Sequence, residues 1–348
     1  MNATDRTLPW RARVGQRGVA LVAALLILAV FCLLDLMIGP SGMGAGELWQ
    51  TFRAGPGGDD RAAAAILFQI RLPQTTMALI VGAALGLAGL MMQTILANPL
   101  ASPFTLGFSA AAGFGAAASI LFGAALGLPL PGHLLTPAAA FAATLAATLL
   151  VWVVARARGG QPEIMVLAGI AVLFFFQSLQ SLLQFLASPE VLQQIVFWLF
   201  GSLLKANWTT VQVSGAITLL CLPFIARDTW ALTTLRMGEA NAQSLGLDTH
   251  GLRRRILLLT AALTAAAVSF TGTIGFVGLI APHAARAAVG EDHRFALPMA
   301  ALAGALILII ASVAAKLLSS GAAIPVGIVT AIAGIPMLIA VILRQKDI

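Results

Sequence analysis

The feature that most constrains the fold is a long stretch without charge, since no Asp, Glu, Lys or Arg occurs between Leu72 and Ala155. A helix that crosses a bilayer needs about 20 apolar residues, so this stretch has room for roughly three spans. Proline-rich segments at 98–103 and 129–133 are predicted to separate them. Small residues let helices approach closely in lipid, so we expect closely packed spans here. The glycines of this stretch include Gly82, Gly86, Gly89, Gly107, Gly113 and Gly115.

The composition excludes a soluble globular protein. Of the 348 residues, 59% are hydrophobic and 9% are charged, whereas soluble domains carry about 25% charged residues. Too few polar side chains are present to cover a globule in water. The net charge is +7, and an excess of Lys and Arg in a membrane protein is typical of cytoplasmic loops. We therefore expect membrane lipid, and no nucleic acid, among the partners.

The hydropathy pattern predicts an all-α polytopic membrane protein with ten transmembrane helices. We interpret 1–348 as a single transmembrane domain with a basic cytoplasmic tail at 1–18 and both termini in the cytoplasm, following the positive-inside rule. Segment 189–206 is predicted to be an external helix and turn. The spans are predicted at 19–34, in three parts of 72–155, and at 164–188, 208–225, 256–273, 276–289, 295–315 and 322–343.

One predicted span carries an unusual number of polar side chains. Gln177, Gln180, Ser181 and Gln184 recur at helical spacing, so they share one face of the helix. Polar side chains within a membrane face a cavity or another helix and not lipid. Hydrogen bonding between helices and the lining of a translocation path are both open interpretations of this face.

A charged segment at 227–255 interrupts the apolar sequence and is predicted to be cytoplasmic. Its core, 235–247, reads L-R-M-G-E-A-N-A-Q-S-L-G-L. This pattern predicts a short helix over 239–245, with Gly238 before it and Gly246 just past its end, where a C-terminal glycine is favoured. A compact helix fixed between two spans is a suitable contact for a partner in the water. The next span contains G-T-I-G-F-V-G-L-I-A-P-H at 272–283.

No enzyme signature occurs in the sequence. The phosphate-binding pattern G-x-x-x-x-G-K-[ST], the zinc pattern H-E-x-x-H and the nucleophile pattern G-x-S-x-G are all missing. We therefore expect neither catalysis nor ATP hydrolysis by this chain, and no cofactor or metal. A secondary transporter usually places an ionisable group in mid-membrane, but Asp35 ends the first span and Glu163 begins the fifth. His283 is interpreted as a structural hydrogen-bonding residue.

The segment at 235–246, the G-F-x-G-L-x-x-P-H motif at 275–283 and N-P-L-A-S-P-x-x-L-G at 98–107 together resemble permeases of the FecCD/BtuC type. These are the membrane subunits of importers for iron-siderophores, haem and vitamin B12. The family pattern for the first segment is L-x-L-G-E-x-x-A-x-x-L-G, and Arg236 and Met237 replace its more usual pair here. The resemblance implies a type II ABC importer permease in a bacterial inner membrane, with ATPase subunits, a periplasmic binding protein and a second permease copy as partners. The residues that would contact the ATPase are Leu235, Gly238, Glu239, Ala242, Leu245 and Gly246.

The resemblance also implies residues at the external side that dock the binding protein. Arg71 matches one such position and Lys316 the other. The motif D-x-x-A-R reads S-V-A-A-K at 312–316, and E-L-P-x-G reads A-I-P-V-G, with Ala323 in place of Glu. Lys keeps the positive charge of the usual Arg but lacks its bidentate fork, so we expect a less directional contact at Lys316.

On the cytoplasmic side, the resemblance implies a gate at Asn98, Leu100, Pro162 and Glu163. It also implies that the polar face of the fifth span lines the path between two subunits. Pro162 and Glu163 differ from the small hydroxyl residues of the vitamin B12 permease, which disfavours that cargo. Ferric siderophore is the expected cargo, with haem and cobalamin as alternatives. A gradient-driven secondary transporter is the alternative from a different class.

Overall fold

The computed structural model describes residues 10–39, 42–123, 132–319 and 324–344. Within these ranges the chain is helical and contains no strand. The fourteen α-helices of the described residues are α1 (Trp10–Met37), α2 (Ala45–Ala54), α3 (Arg61–Ala65), α4 (Leu72–Ile95), α5 (Phe108–Phe122), α6 (Gly132–Ala157), α7 (Pro162–Leu186), α8 (Pro189–Leu199), α9 (Trp208–Arg236), α10 (Glu239–Ser244), α11 (Thr249–Thr271), α12 (Val277–Val289), α13 (His293–Leu318) and α14 (Val326–Arg344).

The predicted all-α membrane architecture is confirmed. Seven helical segments of the described chain are long and apolar enough to cross a bilayer: α1, α3 joined to α4, α6, α7, α9, α11 and α13. Three shorter apolar helices, α5, α12 and α14, lie at the remaining predicted positions, while the count of ten spans stays a prediction. Residues 129–131 of the break predicted at 129–133, the substitution at Ala323 and residues 1–9 of the predicted tail lie outside the described residues, and 132–133 already belong to α6.

The second span begins earlier than the hydropathy pattern predicts. The chain is helical without a break from Arg61 to Ile95, and the turns at Ile66–Arg71 form a π-helix. Pro73 follows within the first turn of α4. Its ring has no N–H and crowds the carbonyl four residues before it, and a π-helical turn is one way in which a helix accommodates such a disturbance.

The connection between α9 and α11 is shorter than the charged segment predicted at 227–255. Helix α9 continues to Arg236 and α11 already begins at Thr249, so only 237–248 connects them. Hydropathy falls at the first charged residue, but a helix continues wherever its charges find partners, and Arg255 donates to both carboxylate oxygens of Asp228 at 3.0 and 3.2 Å. The short helix predicted over 239–245 is confirmed as α10, Glu239–Ser244.

Helix α4 is the centre of the bundle and is buried along almost its whole length. Helices α13, α11, α12 and α9 pack around it. Gly82 and Gly86 lie against the backbone of α13, and Gly89 lies against the backbone of Gly278 in α12. The close approach predicted from these glycines is therefore confirmed, because a β-carbon at any of the three would overlap a neighbouring main chain.

Replacing the glycine at the tightest of these contacts should destabilise the bundle. Gly89→Ala places a methyl group on the backbone of Gly278, and overpacking of this kind costs about 1–3 kcal/mol. We expect a lower midpoint of thermal unfolding in detergent. Gly18→Ala in α1 is the matched control, since nothing lies within 4 Å of a β-carbon there. Equal midpoints for the two variants would contradict the close-packing argument.

Candidate functional site

Helix α10 is fastened to the bundle on one side and open on the other. Ala242 is completely buried and Leu235, just before the connection, is also buried. Met237 and Leu245 flank the helix with 69% and 74% of their surfaces exposed. Two large apolar side chains exposed on a connection between spans form a surface suited to a partner protein. Gly238, at φ +109°, holds the backbone conformation that starts α10.

Glu239 is fixed in place by a buried arginine of α11. Arg253 Nη1 and Nη2 donate to the two carboxylate oxygens of Glu239, both at 2.8 Å, and the Arg253 side chain is only 5% exposed. Thr249 Oγ1 donates to the same carboxylate at 3.1 Å. The hydrogen bonds from Arg253 hold the pKa of Glu239 below its ordinary value. Glu239 therefore stays ionised and paired at neutral pH.

Arg253 also contacts the central helix. Its Nε donates to the carbonyl oxygen of Ile95, the last residue of α4, at 3.2 Å. One side chain thus joins α10, α11 and the end of α4.

Predicted coupling residues and predicted gate residues line one cavity of about 480 Å³. Asn98 and Leu100 lie outside its lining, in the turn after α4, where the Leu100 amide donates to Asn98 Oδ1 at 2.9 Å. The structure therefore places two of the four predicted gate residues beside the predicted coupling segment. The residues of the two predicted groups that face the cavity are Leu235, Gly238, Glu239, Pro162 and Glu163.

The predicted polar face on α7 is only partly engaged within the chain. Gln177 and Ser181 are exposed, while Gln180 and Gln184 are partly buried. The amide oxygen of Gln180 lies over Gly113 of α5. This face thus joins α7 to α5 on one side and points away from the chain on the other.

The two predicted docking residues meet the end of α1, at the opposite end of α4 from Arg253. Lys316 Nζ lies 2.8 Å from Asp35 Oδ1, and Ser312 Oγ donates to the same oxygen at 2.7 Å. Arg71 donates to the carbonyl oxygens of Leu36 and Met37, and Asp35 is fully buried. In the D-x-x-A-R motif, the residue at position 312 would be Asp. Here position 312 is Ser, and the carboxylate beside Lys316 comes from Asp35 of α1 instead.

Both predicted docking residues also border a cavity of about 280 Å³. Arg71 is 4% exposed and its side chain turns inward. A carboxylate of another protein would have to enter this cavity to reach Arg71 or Lys316. The docking role of both residues stays a prediction.

Sequence reasoning assigned no site role to Arg253, Asp35 or His293. A signal for Arg253 existed, because it lies on the same face of α11 as buried Leu252 and Ile256. His293 Nε2 pairs with Thr94 Oγ1 at 2.8 Å within the bundle, and a lone histidine gives no sign of such a partner. His283, by contrast, makes the structural hydrogen bond expected of it, to the carbonyl oxygen of Leu279 at 2.8 Å.

Comparison with protein families and curated proteins finds relatives over nearly the whole chain. The family model described as the FecCD transport family matches residues 26–344. The iron(3+)-hydroxamate import permease FhuB of Bacillus subtilis is 33% identical and covers 99% of this chain and 88% of its own. The hemin transport permease HmuU of Yersinia pestis is 33% identical, with 93% and 95% covered. Permeases named for vitamin B12 import match as well.

A solved structure has the same fold. It is described as a metal-chelate type ABC transporter in an inward-facing conformation, and its TM-score with this chain is 0.81. The two sequences are 29% identical, and the match covers 94% of this chain and 99% of the other.

Removing the carboxylate at the end of α1 should destabilise the chain strongly. Asp35→Ala leaves the ammonium group of Lys316 buried without its counter-charge, and breaking a buried pair costs about 3–5 kcal/mol. We expect a large fall in the midpoint of thermal unfolding in detergent. Asp59→Ala removes an exposed carboxylate and should leave the midpoint unchanged.

Two further variants separate the ion pair from other effects at Asp35. Asp35→Ala with Lys316→Met removes both charges and should recover most of the stability. Asp35→Ser with Ser312→Asp moves the carboxylate to α13, one helical turn from Lys316, where an i, i+4 pair can form. If Asp35→Ala were as stable as Asp59→Ala, the ion pair would have no structural role.

Proposed function

The chain belongs to the FecCD transport family, whose members are permease subunits of ABC importers, and on that premise we propose that it imports an iron complex, most directly a ferric siderophore. A separate ATPase drives the transport, and a binding protein delivers the cargo. The observation that supports an ATPase-driven path is the cavity that the predicted coupling residues share with Pro162 and Glu163 of the predicted gate. Because these residues line the same cavity, a movement of the coupling segment can change the position of the gate residues directly.

The ATPase contacts the chain through α10. The apolar side chains of Met237 and Leu245 supply the contact area, while the paired Glu239 keeps α10 in a fixed orientation. Closure of the ATPase dimer displaces α10, and the residues around the shared cavity follow. The path then opens alternately to the two sides of the membrane.

Two features support an iron complex as cargo. Relatives named for iron(3+)-hydroxamate and hemin import cover nearly the whole chain, and the similar structure is of metal-chelate type. Pro162 and Glu163 also differ from the hydroxyl residues at the gate of the vitamin B12 permease that the family resemblance implies. Haem is the second cargo and cobalamin the third.

The path itself runs between two permease copies. Gln177 and Ser181 are exposed on α7, within a span where exposed amide and hydroxyl groups are unfavourable in lipid. A second copy facing α7 encloses these groups in a polar path. Gln180 and Gln184 complete the same face.

The orientation follows the distribution of charge. Arg17, Arg156 and Arg254 lie at the same end of the predicted topology as α10, which the positive-inside rule assigns to the cytoplasm. Both termini are then cytoplasmic in a bacterial inner membrane. Arg71 and Lys316 lie at the external end, beneath the surface that a binding protein meets.

Cargo-stimulated ATP hydrolysis tests this function. The permease is reconstituted in liposomes with the ATPase and binding protein encoded beside it, and the binding protein is loaded with ferric siderophore, haem or cobalamin. We expect stimulation by ferric siderophore and weaker or no stimulation by the other two. Stimulation by another cargo alone would correct the substrate. Failure to copurify with any ATPase would contradict an ABC importer and favour a gradient-driven carrier.

A charge at the exposed apolar surface of α10 should release the ATPase. Leu245→Asp places a carboxylate in the proposed interface, and losing a central contact costs about 2 kcal/mol, or roughly 30-fold in affinity. Leu245→Met keeps an apolar side chain of similar volume and is the matched control. Affinity is measured with labelled ATPase and detergent-solubilised permease. Equal affinities for the two variants would exclude Leu245 from the interface.

A further inference from the structure

We propose that Arg253 is the positioning residue that transmits movement of α10 to the end of α4, and so to the gate. This inference rests on the proposed function. Its basis is that one buried guanidinium group holds an α10 carboxylate and the terminal α4 carbonyl together.

The contact with α4 meets a need of the helix end. The last four carbonyl groups of a helix lack partners within it. The carbonyls of Met92, Gln93 and Thr94 accept hydrogen bonds from amides of the following turn. The carbonyl of Ile95 accepts from Arg253 instead. The side chain thus replaces the hydrogen bond that would otherwise complete the end of α4.

The turn held in this way carries the predicted gate. Ala97 has a left-handed backbone, with φ +47°, which turns the chain sharply after α4. Asn98 and Leu100 follow at once. Because the Asn98 amide bonds back to the carbonyl of Gln93, this turn is fastened to the last turn of α4 and moves with it. Across the shared cavity lie Pro162 and Glu163 at the start of α7.

A second connection runs in parallel but is more exposed to water. Arg236, at the end of α9, pairs with Glu291 at 3.1 and 3.2 Å. Glu291 also lies 3.9 Å from Arg286, which donates to the side chain of Gln93 in α4. Glu291 is 53% exposed, and exposed pairs are weakened by water and salt. The buried Arg253 link is therefore the stiffer of the two.

The sequence contains a matched control for this link. Arg255 lies two residues further along α11 and forms a bidentate pair with Asp228 of similar geometry. That pair joins α11 to α9 and includes no hydrogen bond to the end of α4. Arg253→Gln and Arg255→Gln thus each remove one bidentate arginine pair from α11, but only Arg253→Gln removes the connection to the end of α4.

The experiment measures cargo imported per ATP hydrolysed in liposomes with ATPase and loaded binding protein. For Arg253→Gln we expect ATPase binding and hydrolysis to persist while cargo per ATP falls about tenfold, within the range typical of coupling between sites. For Arg255→Gln we expect the wild-type ratio within about twofold. If Arg253→Gln does not fold, Arg253→Lys decides, because Lys keeps the charge but lacks the fork that reaches both partners. We expect an intermediate ratio for it.

A distance measurement adds a readout that a merely stabilising role would not change. Spin labels are attached at Ser244→Cys and Leu100→Cys after Cys32 and Cys221 are replaced by Ser. In the otherwise wild-type complex we expect the separation of the labels to stay the same with and without ATP, because α10 and the end of α4 move together. In Arg253→Gln we expect the distance to change or its distribution to broaden when ATP binds.

The outcomes distinguish a failure of the Arg253 inference from a failure of the proposed import function. The inference alone is overturned if the wild type shows ATP-driven uptake and Arg253→Gln imports as much cargo per ATP as the wild type. Where Arg253→Gln does not fold, the same result for Arg253→Lys overturns it. An equal fall in Arg255→Gln also overturns it, since general destabilisation of α11 would then explain both. Wild-type permease that shows no ATP-driven uptake of any cargo overturns the proposed function, and the inference with it.

Discussion

The structure depends on the close packing of one glycine-bearing helix. In a membrane, lipid is as apolar as the side chains, so helices associate through contact and not through the hydrophobic effect. Gly82, Gly86 and Gly89 bring α4 against the main chains of α13 and α12. Packing of this kind leaves no room for charge along the helix, so the charges that contact α4 gather at its two ends.

The two ends use buried charges in different ways. At the Asp35 end, the carboxylate is fully buried and paired with Lys316 and two hydroxyl groups, which fasten α1 to α4 and α13. At the Arg253 end, the partner Glu239 is partly exposed and belongs to a six-residue helix outside the bundle core. The first arrangement joins helices to one another. The second joins a core helix to a short surface helix, the proposed contact of the ATPase.

Much of this architecture can be predicted from the sequence, because apolar segments and the glycines that flank helices are local patterns. The short helix α10 and the all-α membrane fold follow from them. The extent of the charged segment does not, since hydropathy cannot tell a charged helical turn such as the one at Asp228 from a loop. Asp35 and Arg253 were missed for a related reason. Their partners lie far away in the chain, and three consecutive arginines look alike until the packing of α11 selects one.

The same packing makes a single side chain sufficient as a link. A helix held by backbone contacts along its length cannot bend to absorb a displacement at one end, because packed interiors shift between discrete arrangements and do not deform continuously. Arg253 has two hydrogen bonds to Glu239 and one to Ile95. The guanidinium is therefore held to α10 by more hydrogen bonds than to α4, and the single bond to Ile95 is the weaker contact of the proposed link. In the link that we propose, the geometry at the Ile95 carbonyl oxygen thus limits how much movement of α10 reaches α4 through Arg253.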